Sequence, residues 1–391
     1  MPHPTKLRVA SVDALRGLVM IVMALDHTRE FFHAGSMSFL PDDLSRTTII
    51  LFFTRWVTHI CAPVFFFTAG LGAFFQLRRG RGKPELSRHL WTRGLWLVVL
   101  ELTVLRFALN FSLFSGMVLL SILWALGWSM VALGFLVRLP VRALAVGSIL
   151  TIALHNLADP IRASQFGAGA WAWNILHQPG VFVMGGIQFL LAYPLVPWIA
   201  VMAAGFCFGE VVTLEPTLRR RWLIRIGLGL TLAFLLIRGI NIYGDPVRWS
   251  TRFPGMTVLS FLRITKYPPS LDFLLATLGP AILLLAWLER FRLAKANPLI
   301  VFGRVPLFYF LVHLFVIHLL AVVFALFRYG HAGFLFQALP STGGTDFPPV
   351  FGYELWVVYA VWIGVVVMLY PLCLWFSRVK ERRRDWWLSY L

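Results

Sequence analysis

The stretch Ser11–His33 sets Arg16, Asp26, His27 and His33 on one largely apolar segment. A helix rises about 1.5 Å and turns about 100° per residue, so Arg16 and His27 share nearly one azimuth, about 16 Å apart along the axis. Met20 and Met23 fill the stripe between them. A guanidinium can hold an anion, and a neutral imidazole can take a proton. A second pair, Arg55 and His59, is four residues apart and hence on one helical face. Pro63 removes the amide that would bond the His59 carbonyl, which predicts a kink beside that imidazole. Tyr309 and His313 are again four apart, just after Gly303, Arg304 and Pro306, where the helix is expected to break or bend. Glu101 is the one carboxylate expected near a bilayer midplane, in a structural ion pair with a cation on another span.

The elements that position these residues are membrane spans. Of 391 residues 59% are hydrophobic and only 13% charged, where a soluble domain of this size carries about a quarter charged. Ten apolar spans are expected, at about 9–32, 47–77, 89–113, 116–137, 140–158, 190–213, 222–242, 268–289, 298–325 and 352–377. The fold class that follows is an all-α polytopic membrane bundle in one domain over 1–391. The first span carries charge at both ends and lacks a small-residue cleavage site, so it is expected to be retained. The net charge of +18 falls in short basic clusters between apolar runs, including Arg78–Lys83, Arg219–Arg221 and Lys380–Arg384. That pattern argues for membrane topology and against nucleic acid, and it sets both termini in the cytoplasm. Cys61, Cys207 and Cys373 all lie in apolar runs and read as buried small residues.

In this topology His27, His33, His59, His155, His177, His313, His318 and His331 fall toward the outer side. Arg55, Arg106, Asn110, Arg238, Asn241 and Lys266 lie at comparable depth. A single such residue commonly just snorkels; a set drawn from many spans predicts a polar cavity in the outer half of the bundle. Arg16, Arg93 and Arg304 lie near cytoplasmic span ends. No phosphate loop, dinucleotide fingerprint, nucleophile elbow or zinc-protease motif occurs. The histidines lack the tight spacing with carboxylates that a metal site needs, so no metal is expected.

The run Ser11-Val-Asp13-Ala-Leu-Arg16-Gly17 with Asp26-His27, followed by Pro63-Val-Phe-Phe-Phe-Thr-Ala-Gly70, resembles bacterial membrane proteins similar to heparan-alpha-glucosaminide N-acetyltransferase. The likeness continues through Leu95–Arg106, Lys266-Tyr-Pro-Pro-Ser270 and Phe302–Pro306. The first span also resembles that of the broader membrane acyltransferases, whose histidine eleven residues after an arginine corresponds to His27. The resemblance implies transfer of an acetyl group from cytoplasmic acetyl-CoA to an amine or hydroxyl of a sugar or envelope glycan on the far side of a bacterial inner membrane. It implies a base at His27 or His33, with Asp26 and His59 beside it. Acceptor contacts would come from Arg55, Arg106, Asn110, Arg238, Asn241 and Lys266, and acetyl-CoA contacts from Arg16, Arg93 and Arg304. His59 replaces the acidic residue of the lysosomal enzyme at that position, and the acceptor is not inherited with the likeness. The expected partners are acetyl-CoA, the acceptor and the lipid bilayer; a homo-oligomer stays open. The competing reading is a transporter or channel with the same polar cavity and no acyl chemistry. It would favour two repeat-related halves with broken helices, and no such repeat is visible.

Overall fold

The computed structural model describes residues 9–36, 38–114, 116–252, 255–336, 348, 350–383 and 385–390. The segment 1–8, expected to be cytoplasmic, lies outside them. The chain runs α1 (Ala10–Phe32), α2 (Ile49–Trp56), α3 (Cys61–Arg78), α4 (Lys83–Leu100), α5 (Arg106–Asn110), β1 (Val118–Leu120) and α6 (Ile122–Leu136). It continues through α7 (Val141–Leu154), α8 (Ala170–Leu176), β2 (Gly180–Met184), β3 (Ile187–Leu191), α9 (Leu195–Val212) and α10 (Pro216–Ile240). The last third holds α11 (Thr257–Leu262), α12 (Leu271–Leu288), α13 (Pro298–Arg304), α14 (Pro306–Tyr329) and α15 (Leu355–Arg382).

Among the described residues, seven helices are long and apolar enough to cross a membrane: Ile49–Arg78, Val141–Ala158, Leu195–Val212, Pro216–Ile240, Leu271–Leu288, Pro306–Tyr329 and Leu355–Arg382. The protein is a predominantly helical membrane protein. α1 has 23 residues, enough to cross, but carries Asp13, Arg16, Asp26, Arg29 and Glu30. α6 is apolar but has only 15 residues, because Val118–Leu120 forms a strand instead.

That strand belongs to a small sheet, which the predominantly helical chain carries beyond the all-α expectation. β1, β3 and β2 form a three-stranded sheet in that order, β1 parallel to β3 and β3 antiparallel to β2. Gly185 and Gly186 connect β2 to β3 with positive φ angles of 58° and 77°, the backbone a two-residue hairpin requires.

α1 packs against α3, α12, α13, α14 and α15 and so lies at the centre of the bundle. Its closest approach is to α13: a Cβ on Gly303 would stand 1.7 Å from the Asp13 carbonyl oxygen, and one on Gly17 1.9 Å from that of Leu299. Gly70 and Gly205 do the same between α3 and α9, where the added atoms would fall 1.9 Å and 2.0 Å from backbone oxygens. Small residues let helix backbones meet in a medium where helices gain no hydrophobic drive to associate.

The helix interruptions fall near the residues the spacing singled out. Before Pro63 the chain tightens into a 3-10 turn over Val57–Ile60, which carries His59. At Val305, with φ −128° and ψ 47°, the helix breaks between α13 and α14, since a residue preceding proline is pushed out of helical geometry. Glu101–Leu105 forms a π-helical turn between α4 and α5. Among the described residues no cation pairs with Glu101. Its carboxylate accepts from the Ser121 amide (2.8 Å) and hydroxyl (2.6 Å) and from the amides of Leu123 (3.0 Å) and Trp124 (3.3 Å). It caps the N-terminus of α6, where unpaired N–H groups and the helix dipole favour an anion; the expected ion pair is replaced by a cap.

Candidate active site

Two cavities lie along α1. The one toward its N-terminal end has a volume of about 280 Å³ and is lined by Arg16, Met20, Thr68, Gly72, Gln76 and Arg93 among mostly apolar neighbours. Arg16 donates to the Thr68 carbonyl at 2.8 Å and stands 3.7 Å from Asp13. Gly72 lies beside it: a Cβ there would stand 3.5 Å from the Arg16 guanidinium, in ordinary contact.

The larger cavity, about 510 Å³, lies toward the C-terminal end of α1 and takes in Asp26, His27, Arg55, His59, Tyr193 and Lys266. Ile122 and Phe310 line both cavities. They form the partition between the two chambers, with the Phe310 ring edge-on to His27 at 6.1 Å.

His27 is held by a residue far along the chain. Its Nδ1 lies 2.8 Å from Nε2 of His313, and the His313 Nδ1 lies 2.9 Å from the Tyr309 carbonyl oxygen. A carbonyl only accepts, so His313 Nδ1 carries the proton and its Nε2 is the acceptor. His27 must then donate from Nδ1, which leaves its Nε2 lone pair free. His313 is fully buried and fixes the tautomer that His27 adopts.

His33 is arranged in the opposite sense. It forms the first residue after α1, pairs as an isolated bridge with Tyr353, and accepts the Gly35 amide on Nδ1 at 3.0 Å. Its neutral form therefore carries the proton on Nε2, and neither nitrogen offers a lone pair. Burial, and then the Arg29 charge, hold its pKa below the ordinary histidine value. His33 does not line the cavity around His27.

Asp26 takes Arg29 at 3.1 Å and Arg55 on its other oxygen, so it is a charge anchor for two guanidinium groups. His59 lines the cavity with its Nδ1 unpartnered among the described residues. Lys266 lines it too, its ammonium 5.2 Å over the Tyr267 ring.

The remaining residues singled out by sequence stand elsewhere. Arg238, 2% exposed, donates to the carbonyls of Phe261 (2.9 Å), Val247 (2.8 Å) and Ser260 (3.2 Å) and faces Asp272 at 3.7 Å. Asn241 closes α10 in the left-handed region and exchanges two hydrogen bonds with the Trp249 backbone. Both pin the segment that follows α10. Asn110 bonds back to the Arg106 carbonyl, and Arg106 reaches the Gly116 carbonyl at 3.4 Å. Arg304 pairs with Glu381 on α15. Of the three cytoplasmic-side arginines, Arg16 and Arg93 share a cavity and Arg304 does not line it.

The chain is thus a helical membrane protein with a half-buried, tautomer-fixed imidazole in the larger of two cavities that share the walls Ile122 and Phe310. The sequence profile of the heparan-alpha-glucosaminide N-acetyltransferase catalytic domain matches residues 8–243, and the chain belongs to that acetyltransferase family. No curated protein matches the chain. The matched region contains Arg16, His27, Arg55 and His59; Lys266, Phe310 and His313 lie beyond it.

Proposed function

We propose that the protein transfers an acetyl group from acetyl-CoA, entering from the cytoplasm at the N-terminal end of α1, to an amine or hydroxyl of a sugar or envelope glycan at the other end. The observation that carries the reading is the pair of cavities sharing Phe310 and Ile122, with cations in one and the free His27 nitrogen in the other. The narrow chamber suits an extended thiol-bearing arm, and Arg16 and Arg93 at its wall suit phosphate oxygens. The basic clusters at the same end of the bundle support that orientation, with both termini inside a bacterial inner membrane.

In the transfer, the acceptor heteroatom forms a bond to the acyl carbon and the carbon–sulfur bond breaks. His27 Nε2 takes the acceptor proton and returns it to the departing thiolate, so no external acid or base is consumed. Arg55, anchored by Asp26, supplies positive charge on the acceptor side for the developing oxyanion. His59 and Lys266 complete the polar wall.

Purified protein in liposomes tests this with labelled acetyl-CoA. Acetyl-CoA is expected to raise thermal stability, by about 2.7 kcal/mol at a hundredfold excess over Kd. His27→Ala is expected to lower transfer by about 10²–10⁴-fold while keeping that stabilisation, and His33→Ala is expected to retain transfer. Solute flux without any response to acetyl-CoA would instead favour the transporter reading.

A further inference from the structure

The wall of the larger cavity has a charge arrangement that selects among acceptors. Each carboxylate lining it already faces a guanidinium: Asp26 faces Arg29 and Arg55, Glu30 faces Arg29 at 3.6 Å, and Asp42 faces Arg263 at 3.6 Å. One cation, Lys266, and one N–H donor, on the already paired Arg29, are left over. Among the described residues no carboxylate lies within ion-pair distance of Lys266, whose recorded contact is the face of Tyr267. Arg29 is 4% exposed, and its Nε–H has no acceptor among those residues. A buried N–H without an acceptor costs about 1–3 kcal/mol, so a ligand oxygen that meets it relieves a standing penalty. An amine acceptor arrives mostly as an ammonium ion and would find no unopposed carboxylate among the described residues. A hydroxyl acceptor brings no such charge.

The geometry points to an O-acetyltransferase whose acceptor is a sugar hydroxyl on a residue that also carries an anionic group, a carboxylate or a phosphate, held by Lys266 and Arg29. This rests on the acetyl-transfer reading and narrows it. The bond made is an ester C–O, the bond broken is the thioester C–S, and the hydroxyl proton passes to His27 and on to the thiolate. Lys266 and Tyr267 together form one edge of the acceptor seat, a cation standing over an aromatic face, with Tyr193 edge-on to Tyr267 at 5.2 Å. Sugar rings pack on such faces through their C–H bonds.

Glucose, glucuronate, glucose 6-phosphate and glucosamine form a matched series that tests the assignment in liposomes with labelled acetyl-CoA. For the wild type, glucuronate or glucose 6-phosphate is expected to exceed glucose by about tenfold in kcat/KM, the size of one charge-assisted contact, with glucosamine the poorest acceptor. The better of the two anions distinguishes carboxylate from phosphate. Lys266→Arg is expected to keep the order, and Lys266→Glu to lose the anionic acceptors and improve glucosamine. Thermal stabilisation by the same four sugars is read in parallel without acetyl-CoA, so the seat is tested even if no transfer occurs. Selective stabilisation of the wild type by the anions, lost in Lys266→Glu, upholds the seat even where absent transfer removes the acetyltransferase reading. Glucosamine as the best acceptor, or an order unchanged in Lys266→Glu, overturns the proposal. Equal stabilisation by all four sugars overturns it as well.

Discussion

At the scale of the residue, two histidines that sequence could not separate are separated by what their nitrogens touch. His27 and His33 are six positions apart at one end of one helix, and nothing in their spacing says which keeps a lone pair. The answer comes from the Gly35 amide on one and from His313, 286 positions away, on the other. His313 was legible as a member of the outer polar set and as a partner of Tyr309 on a shared helical face; its contact with His27 is set by packing between α1 and α14. Because His313 acts through His27, His313→Ala is expected to lower kcat by about tenfold or more with little change in KM. His313→Gln, which can still accept the His27 proton through its amide oxygen, is expected to recover part of that rate. A partial rescue tracks the hydrogen bond, where a merely structural role would follow volume.

His33 gives a prediction in pH. Its folded-state pKa lies below the ordinary value, so the folded protein prefers it neutral. The stabilisation is then complete above about pH 6.5 and is lost as pH falls below that value, because the unfolded chain binds the proton first. Melting temperatures across this range are expected to fall with acid, and less steeply in His33→Gln, whose amide oxygen can still accept from Gly35.

At the scale of the element, the apolar runs predicted where helices lie, and proline predicted where they break: Val305 leaves helical geometry because it precedes Pro306, and the 3-10 turn over Val57–Ile60 precedes Pro63, which lacks an N–H for the His59 carbonyl. The sheet escaped notice. Its hairpin had a local signal, Gly185-Gly186 between two apolar runs, but β1 pairs with β3 some seventy positions later, and no local pattern carries that. Glu101 shows the same limit. Sequence marked it as expensive to bury, yet the partner is the start of α6, whose backbone has no sequence signature as a counter-charge. Glu101→Ala removes the acceptor for three backbone amides and is expected to cost about 2 kcal/mol of stability, read as a lower melting temperature in detergent. Transfer per folded molecule is expected to stay near the wild-type level.

At the scale of the whole molecule, the proposed transfer turns on the partition between the chambers. Phe310 borders both cavities and lies against both His27 and His313. Phe310→Trp is expected to close the passage, lowering transfer while acetyl-CoA still stabilises the protein. Phe310→Ala is expected to admit water and raise hydrolysis of acetyl-CoA when no acceptor is supplied. Thiol release measured with and without acceptor separates the two outcomes.

The central place of α1 also bears on the order in which the molecule is made. α1 is synthesised first, yet much of its surface is covered by α12 to α15, which are synthesised last. Its most exposed liability is dealt with early: Asp26 finds Arg29 within its own helix and Arg55 on the next apolar segment. The His27 side has to wait for α14 and the Gly17 seam for α13. The His27 imidazole therefore acquires its fixed tautomer only when the chain is nearly complete, so a ribosome-bound or truncated form lacking the last third would carry the residues of the matched family region without the contact that orients the proposed base. Under the proposed mechanism, completion of the chain, rather than insertion of its first helices, is the step that assembles this site.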